Sequence, residues 1–207
     1  MWPESDQTQT LLQHVRDGDQ EAAGQLLDRH REALRRMIDM RLDRQIQQRV
    51  DASDIVQDVL IEANRRLRTY LENPAMPFHL WLRHMAKDRI IDAHRRHRVS
   101  AKRTVDREQA IQRAPKLDQS TVQLAAQLCD QQLTPAAAAT MHELQRRFQL
   151  AIEQLNEQDH DIVLMRHFEQ LSNQEVAHAL ELSEPAASMR YLRALRRLRN
   201  LLQEDEP

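Results

Sequence analysis

The chain has 207 residues, of which 41% are hydrophobic, 30% charged and only 3% aromatic, and its formal net charge is −2. The single cysteine, Cys129, excludes an intramolecular disulfide and a thiolate metal cage. Two glycines are too few for a glycine-rich phosphate loop, and no apolar run approaches the ~20 residues of a membrane span.

The composition favours helices throughout the chain. Leu, Ala, Gln, Arg and Glu are common, while the β-branched and aromatic residues that favour strands are scarce. We therefore expect an all-α fold. Residues 1–6 lack the basic and apolar regions of a signal peptide, so we also expect a cytoplasmic location.

The first half of the chain predicts four helices. The sequence Asp17-Gly18-Asp19 separates the first two, and a third is predicted to begin near Asp51 or Ser53. The loop 73–77 is rigid because its two prolines cannot lie inside a helix. A fourth helix follows and ends in the basic run 94–98. Residues predicted to pack in the core of this domain are Leu11, Leu12, Val15, Ala22, Ala23, Leu26, Leu27, Leu34, Met37, Ile38, Ile55, Val56, Val59, Leu60, Ala63, Leu67, Phe78, Trp81, Leu82, Met85, Ile90 and Ile91.

Residues 99–140 show no sustained apolar period. This stretch is polar and carries Pro115 and Pro135. So long a run without firm structure is unusual inside a domain. We interpret it as a flexible linker, with room for one short helix, between a domain at 1–98 and a second at 141–205.

Helical periodicity returns after Pro135. Two helices are predicted there, with apolar positions at Leu144, Phe148, Ile152 and Leu155 and then at Ile162, Val163, Met165 and Phe168. Ser172 and Glu175 have the spacing of a capping box, so a short helix should begin there and stop near 181–182. Ser183 is a second N-cap candidate, with Pro185 in the first turn of a helix that continues to about Leu202. A short capped helix, a tight turn and a second capped helix predict a helix-turn-helix.

The last helix has two different faces. Tyr191, Leu195, Leu198 and Leu202 fall within a narrow arc and should pack into the domain. The opposite face carries Pro185, Met189, Leu192, Arg193 and Arg196, with Ser188, Arg190 and Arg197 at its edges. Such a helix can enter the major groove of DNA. At position 181, where this motif commonly has glycine, the glutamate should cost on the order of 1 kcal/mol or change the turn.

Charge is segregated along the chain. Arginines concentrate in 83–103 and 190–199, and acidic residues concentrate in 51–62 and at the C-terminal end. Two basic stretches indicate two contacts with one polyanion, although solvated helix faces would give the same pattern. Asp54 and Asp58 lie one turn apart without convergent catalytic groups, so a solvated acidic face fits them better than acid–base catalysis.

Several segments resemble bacterial RNA polymerase sigma factors of the extracytoplasmic-function group. The sequence DIVQDV at 54–59 is similar to region 2.2 of that family, and FHLWL at 78–82 and IDAHRR at 91–96 are similar to regions 2.3 and 2.4. The sequences LNEQD at 155–159 and RHFEQLSNQEVA at 166–177, followed by 183–195, are similar to region 4. Both regions occur in the family's order.

The resemblance implies site residues for two promoter elements and for polymerase. For the −35 element they are Arg166, Asn173, Gln174, Ser188, Met189, Arg190, Leu192, Arg193, Arg196 and Arg197. For the −10 element, whose flipped base the loop 73–77 would seat, they are Asn73, Met76, Lys87, Asp88, Arg95, Arg96 and Arg98. Asp88 stands where the family usually has an asparagine. Asp54, Gln57 and Asp58 would face the basic clamp helices of the β′ subunit.

The resemblance also implies partners: core RNA polymerase, through its β′ and β subunits, promoter DNA and, in many family members, an anti-sigma factor. It implies no enzymatic activity, metal, cofactor or membrane insertion. The main alternative is a helix-turn-helix repressor or activator that works without polymerase. The acidic stretch at 54–58 and the basic stretch at 83–103 favour the sigma factor, because a simple repressor would not need them.

Overall fold

The structure is a computed structural model that describes residues 2–42, 46, 49–101, 124, 128 and 138–204. The chain divides into two compact units, residues 1–114 and 115–207. Every regular element in the described ranges is a helix, which confirms the predicted all-α fold. None of the helices in these ranges is long and apolar enough to cross a bilayer.

The first unit contains the described helices α1 (Ser5–Arg16), α2 (Gln20–Arg41), α3 (Ala52–Glu72) and α4 (Phe78–Ala101). Gly18 has a φ of 93°, in the left-handed region that favours glycine, so the predicted break between α1 and α2 is confirmed. The Asp51 carboxylate caps α3 by accepting a hydrogen bond from the Ser53 N–H at 2.8 Å. This bond lowers the pKa of Asp51.

The core of the first unit lies where α2, α3 and α4 pack together. The side chains that are at most 1% exposed there include Leu26, Leu34, Met37, Ile38, Val59, Ala63, Leu82, Ala86 and Ala93. Most predicted core positions are therefore confirmed. The start of α4 is buried on two sides, because Leu80 is buried on the side nearly opposite to the buried Phe78, Leu82 and Met85.

Some positions in the first unit differ from the prediction. Ile91 is 45% exposed, so its predicted place in the core is wrong; Ile90 and Ala93 make the core contact on that part of α4 instead. Leu11, Val15, Ala23 and Trp81 are only half-buried. Arg83, the first arginine of the predicted basic stretch, is 3% exposed and does not belong to a basic surface.

The second unit contains α5 (Ala138–Glu153), α6 (Glu157–Val163), a π-helical turn (Leu164–Phe168), α7 (Asn173–Ala179) and α8 (Glu184–Glu204). Asn156 caps α6 by accepting a hydrogen bond from the Asp159 N–H at 2.9 Å. The Arg147 guanidinium donates to the Leu202 carbonyl and so ties α5 to the end of α8. The core contains Phe148, Ala151, Ile162, Val163, Met165, Val176, Ala194, Leu198 and Leu202, none more than 1% exposed.

The predicted linker, 99–140, lies mostly outside the described residues. Its described ends are helical, because α4 runs to Ala101 and α5 begins at Ala138. Leu124 and Leu128 are also helical, and Leu124 is buried. The limits of the two domains and of the linker stay predictions.

Candidate nucleic-acid interface

The second unit holds a helix-turn-helix made of α7 and α8. The Ser172 hydroxyl accepts a hydrogen bond from the Glu175 N–H at 3.2 Å, and the Glu175 carboxylate accepts one from the Ser172 N–H at 2.7 Å. This reciprocal pair is the predicted capping box, which is confirmed. It fixes the residue at which α7 begins.

The turn after α7 closes as a Schellman motif. The N–H of Leu182 donates to the carbonyl of Ala177 at 2.8 Å, and the N–H of Glu181 donates to the carbonyl of His178 at 3.3 Å. Glu181 has a φ of 54°, which costs a non-glycine residue on the order of 1 kcal/mol. Position 181 therefore keeps the geometry of the usual glycine turn, and the glutamate bears the strain.

The first turn of α8 is held from two directions. The Ser183 hydroxyl accepts a hydrogen bond from the Ala186 N–H at 3.3 Å, as predicted for an N-cap. The Asn173 side-chain amide donates to the Glu184 carbonyl at 2.9 Å and so ties the start of α7 to the start of α8. The N-terminus of α8 is thus fixed relative to the preceding helix.

Arg166 connects the π-helical turn to α8. Its guanidinium donates to the Leu171 carbonyl at 2.7 Å and lies 5.5 Å from the centre of the Tyr191 ring. Burial raises the pKa of Tyr191, and the Arg166 charge opposes that rise. The Arg166 side chain therefore makes contacts inside the unit, and its position in the sequence did not predict them.

The helix α8 turns one face to the unit and the other outward. On the inner face Ala187, Ala194, Leu198 and Leu202 are at most 1% exposed, and Tyr191 and Leu195 are half-buried. On the outer face Pro185, Met189, Leu192, Arg193, Arg196 and Arg197 are exposed, with Ser188 and Arg190 half-buried beside them. Gln174 of α7 is also exposed. The predicted division of α8 is confirmed, although the buried alanines were not predicted.

In the first unit, Tyr70 holds the loop between α3 and α4. Its phenol donates to the Met76 carbonyl at 2.9 Å, and the Asn73 N–H donates to the Thr69 carbonyl at 3.3 Å. Burial raises the pKa of Tyr70, so the hydroxyl stays protonated and can donate. The predicted rigid loop therefore has a hydrogen bond to its own scaffold in addition to its prolines.

An aromatic cluster lies beneath this loop. Trp81 stacks on Tyr70 with ring centroids 4.7 Å apart, and the Phe78 ring lies 5.5 Å from Tyr70 and 5.0 Å from His30. The predicted core position of Phe78 is confirmed at 2% exposure. Trp2 extends the cluster, with its ring 6.3 Å from that of His30.

No role was predicted for Trp2, Tyr70 or His30. His30 is spaced four residues from the buried Leu26 and Leu34, so helical periodicity could have found it.

The remaining residues predicted for the −10 element lie on α4. Arg95 and Arg96 are exposed, and Lys87 is half-buried and interacts with another group. The exposed Asp88 carboxylate lies 3.9 Å from the His84 ring nitrogen Nε2. The side chain of Arg98 lies outside the described residues.

The residues predicted to bind polymerase share the exposed face of α3. Asp54, Gln57 and Asp58 are all exposed. Gln57 also lines a groove of about 500 Å³ between α2 and α3, together with Leu27 and the 45% exposed Ile61. No group of three or more His, Cys, Asp and Glu side chains in the described part of the chain is placed to hold a metal ion.

Comparison with known proteins matches both units. Residues 26–99 match the family model described as Sigma-70 region 2, and residues 145–198 match the one described as Sigma-70, region 4. Among solved structures, CnrH in complex with the cytosolic domain of CnrY is similar, with 22% identity and a TM-score of 0.59 over 95% of this chain and 97% of that one. That likeness shows a shared fold. Among curated proteins, no sequence matches significantly.

Proposed function

The chain belongs to the sigma-70 family of bacterial RNA polymerase sigma factors, and on that premise we propose how its two units divide the work of promoter recognition. As a sigma factor of the extracytoplasmic-function group it binds core RNA polymerase and directs transcription initiation. It acts in the cytoplasm and carries out no chemical reaction itself.

The second unit reads the −35 element through α8. The observation that carries this assignment is the fixed, outward face of α8, where Arg193, Arg196 and Arg197 are exposed next to Met189 and Leu192. Asn173 and Arg166 act as positioning residues, because their polar groups hold α8 through Glu184 and Tyr191. Gln174, Ser188 and Arg190 contact the flanking backbone, and the unit also meets the β subunit.

The first unit holds the single-stranded −10 element. The loop 73–77, fixed by Tyr70 through the Met76 carbonyl, seats the flipped base beside Asn73. Unpairing a base costs a few kcal/mol, which a preformed pocket and cationic walls can offset. Lys87, Arg95, Arg96 and Arg98 supply those walls. Asp88 repels phosphate and so keeps the strand away from its part of α4.

The acidic face of α3 docks on the β′ subunit. Asp54 and Asp58 are exposed on the side of α3 that faces away from the core, with Gln57 between them. The β′ clamp helices are basic, so charge complementarity steers and orients this contact.

Two substitutions separate polymerase binding from promoter binding. Arg193→Ala should weaken binding of holoenzyme to −35 duplex by about 1–3 kcal/mol and leave affinity for core polymerase unchanged. Asp58→Lys, alone or with Asp54→Lys, should weaken core binding by opposing the clamp charge. Core affinity is measured by fluorescence titration of the full chain with core polymerase, and promoter affinity by duplex binding of the assembled holoenzyme.

Each variant has a matched control. Glu72→Lys reverses an exposed charge at the far end of α3 and should keep core affinity, and Arg65→Ala removes an exposed arginine of the first unit and should keep −35 affinity. If Asp58→Lys and Glu72→Lys bind core equally well, the assignment of the acidic face is wrong. A repressor that works without polymerase would show no core affinity in any variant.

A regulatory protein partner is a further part of the proposal. CnrH was solved in complex with the cytosolic domain of CnrY, and that complex supports an anti-sigma factor for this chain as well. Such a partner would hold the chain away from core polymerase. Adding it to the titration should therefore lower the apparent affinity for core.

A further inference from the structure

We propose that Met189 and Leu192 read thymine methyl groups on two adjacent base pairs of the −35 element. This inference rests on the proposed function of the second unit and specifies what its recognition helix selects. The two apolar side chains determine which bases are preferred, whereas the arginines near them provide affinity for any duplex.

The first observation is an unusual exposure of apolar side chains. Four large apolar residues in the described part of the chain are more than 40% exposed: Ile61, Ile91, Met189 and Leu192. Met189 is 52% exposed and Leu192 is 47% exposed, and both lie on the outer face of α8. The second unit thus places its two most exposed large apolar groups together on the helix that is anchored at its N-terminus.

The second observation is the chemistry of the neighbouring positions. Pro185 and Ala186, which precede them on the exposed side of α8, offer no side-chain hydrogen-bonding group. The first turns of a recognition helix are the ones that reach base edges. An apolar surface there cannot read the donors and acceptors of a G·C pair. The one apolar group that a base presents in the major groove is the C5 methyl of thymine.

The spacing of the two side chains fits adjacent base pairs. Met189 and Leu192 are three residues apart, so they project from nearly the same face and are offset by ~4.5 Å along the helix. Successive base pairs are ~3.4 Å apart. Two side chains at this offset can each cover one methyl group of a two-base-pair step.

Charge identifies DNA rather than protein as the occupant of this surface. Arg193, Arg196 and Arg197 are exposed around the apolar pair, and Arg190 is half-buried at its edge. A patch bordered by arginines matches a groove lined by phosphates. An apolar partner protein would leave those charges without counterions.

The experiment begins with selection by the complete holoenzyme. Core polymerase assembled with the full chain is used to select duplex promoters from a library with random bases, and the bound pool is sequenced. The expected −35 element carries thymine, on either strand, at two adjacent pairs. Each thymine is then replaced by deoxyuridine, which lacks only the methyl group. We expect affinity to fall about three- to fivefold per methyl.

Variants show which side chain reads the methyl groups. Met189→Ala and Leu192→Ala should each abolish the preference for thymine over deoxyuridine at one of the two pairs. Both residues are exposed, so circular dichroism should show unchanged folding. Ile91→Ala, which truncates a side chain of similar size and exposure on α4, should keep both preferences.

The outcomes separate the inference from the function on which it rests. Selection that yields no −35 preference at all overturns the proposed reading of this element by α8. A −35 element without adjacent thymines, or with thymines that deoxyuridine replaces at no loss, overturns the methyl readout alone. A preference that survives both alanine variants also overturns it.

Discussion

Tyr70 uses its ring and its hydroxyl for different contacts. The ring stacks on Trp81 and makes an edge-to-face contact with Phe78, while the hydroxyl donates a hydrogen bond to the Met76 carbonyl at 2.9 Å. Removing the hydroxyl alone should therefore loosen the loop and leave the aromatic cluster in place. This residue offers a test of loop geometry that does not alter any side chain assigned to DNA.

Tyr70→Phe should weaken binding of the −10 single strand by about 0.5–1.5 kcal/mol, the usual net contribution of one hydrogen bond. Binding of −35 duplex and of core polymerase should be unchanged. The measurement is titration of holoenzyme with a labelled −10 oligonucleotide. Tyr191→Phe makes the same change in the second unit and should leave −10 affinity intact. Equal −10 affinity for Tyr70→Phe and the parent chain would show that the loop needs no such support.

His30 makes the first unit sensitive to acid. Burial lowers its pKa from 6.5 to about 4, and the nearby His79 and Arg29 act in the same direction, although its hydrogen bond to the Leu26 carbonyl opposes them. Between these pH values the unfolded chain binds a proton that the folded protein does not. Stability should therefore fall as the pH drops from about 6.5 to about 4, by up to about 3 kcal/mol.

Denaturant unfolding at several pH values tests this expectation. His30→Gln should be less stable than the parent chain at neutral pH, because it loses the ring contact with Phe78, but its stability should fall less in acid. The exposed His14 provides the control, and His14→Gln should keep the parent's pH dependence. If the free energy of unfolding fell equally with decreasing pH in His30→Gln and in the parent chain, His30 would not be the source of the acid sensitivity.

At the scale of helices, the sequence predicted what depends on local spacing. The capping box at Ser172, the cap at Ser183 and the outer face of α8 follow from residues a few positions apart, and all are confirmed. Contacts between distant segments were missed. Trp2 joins His30, and Arg166 reaches Tyr191, through packing that no periodicity encodes. The π-helical turn was missed because its wider hydrogen bonding has no clear residue signature.

The turn between α7 and α8 carries a removable strain. Glu181→Gly should relieve a left-handed conformation that costs on the order of 1 kcal/mol, while the freer glycine offsets part of that gain in the unfolded chain. We expect a net stabilisation of a few tenths to about 1 kcal/mol in denaturant unfolding.

Two further glycine substitutions calibrate the result. Gln170→Gly should also stabilise, because Gln170 has a φ of 56°. Gln174→Gly, inside α7, should destabilise by about 1 kcal/mol. A loss of stability in Glu181→Gly as large as that in Gln174→Gly would show that position 181 bears no strain.

At the scale of the whole molecule, a net charge of −2 conceals two surfaces of opposite sign. The acidic face of α3 belongs to the first unit and the arginine-rich face of α8 to the second. The net charge of the whole chain therefore says little about which partners it binds. Each unit also has its own buried core, so damage to one core should spare the surface presented by the other.

Phe148→Ala tests that separation. Phe148 is 1% exposed in the core of the second unit, with its ring 6.4 Å from that of Phe168, and truncating it should cost about 3–5 kcal/mol. Both tryptophans, Trp2 and Trp81, lie in the first unit, so their fluorescence reports that unit alone. Far-ultraviolet circular dichroism reports the helices of both. In thermal unfolding, we expect part of the dichroism signal to be lost at a lower temperature than in the parent chain, while the midpoint of the fluorescence transition stays the same.

The reverse substitution and the binding measurements complete the test. Leu34→Ala, which truncates a fully buried side chain of the first unit, should shift the fluorescence transition instead. Phe148→Ala should still bind core polymerase through the acidic face of α3. It should lose affinity for −35 duplex, because the hydrophobic core that holds α8 in place is damaged. A common shift of both optical signals in either variant would mean that the units unfold together. Substitutions in the hydrophobic cores could then not separate polymerase binding from −35 binding, and only surface substitutions such as Asp58→Lys and Arg193→Ala would distinguish the two.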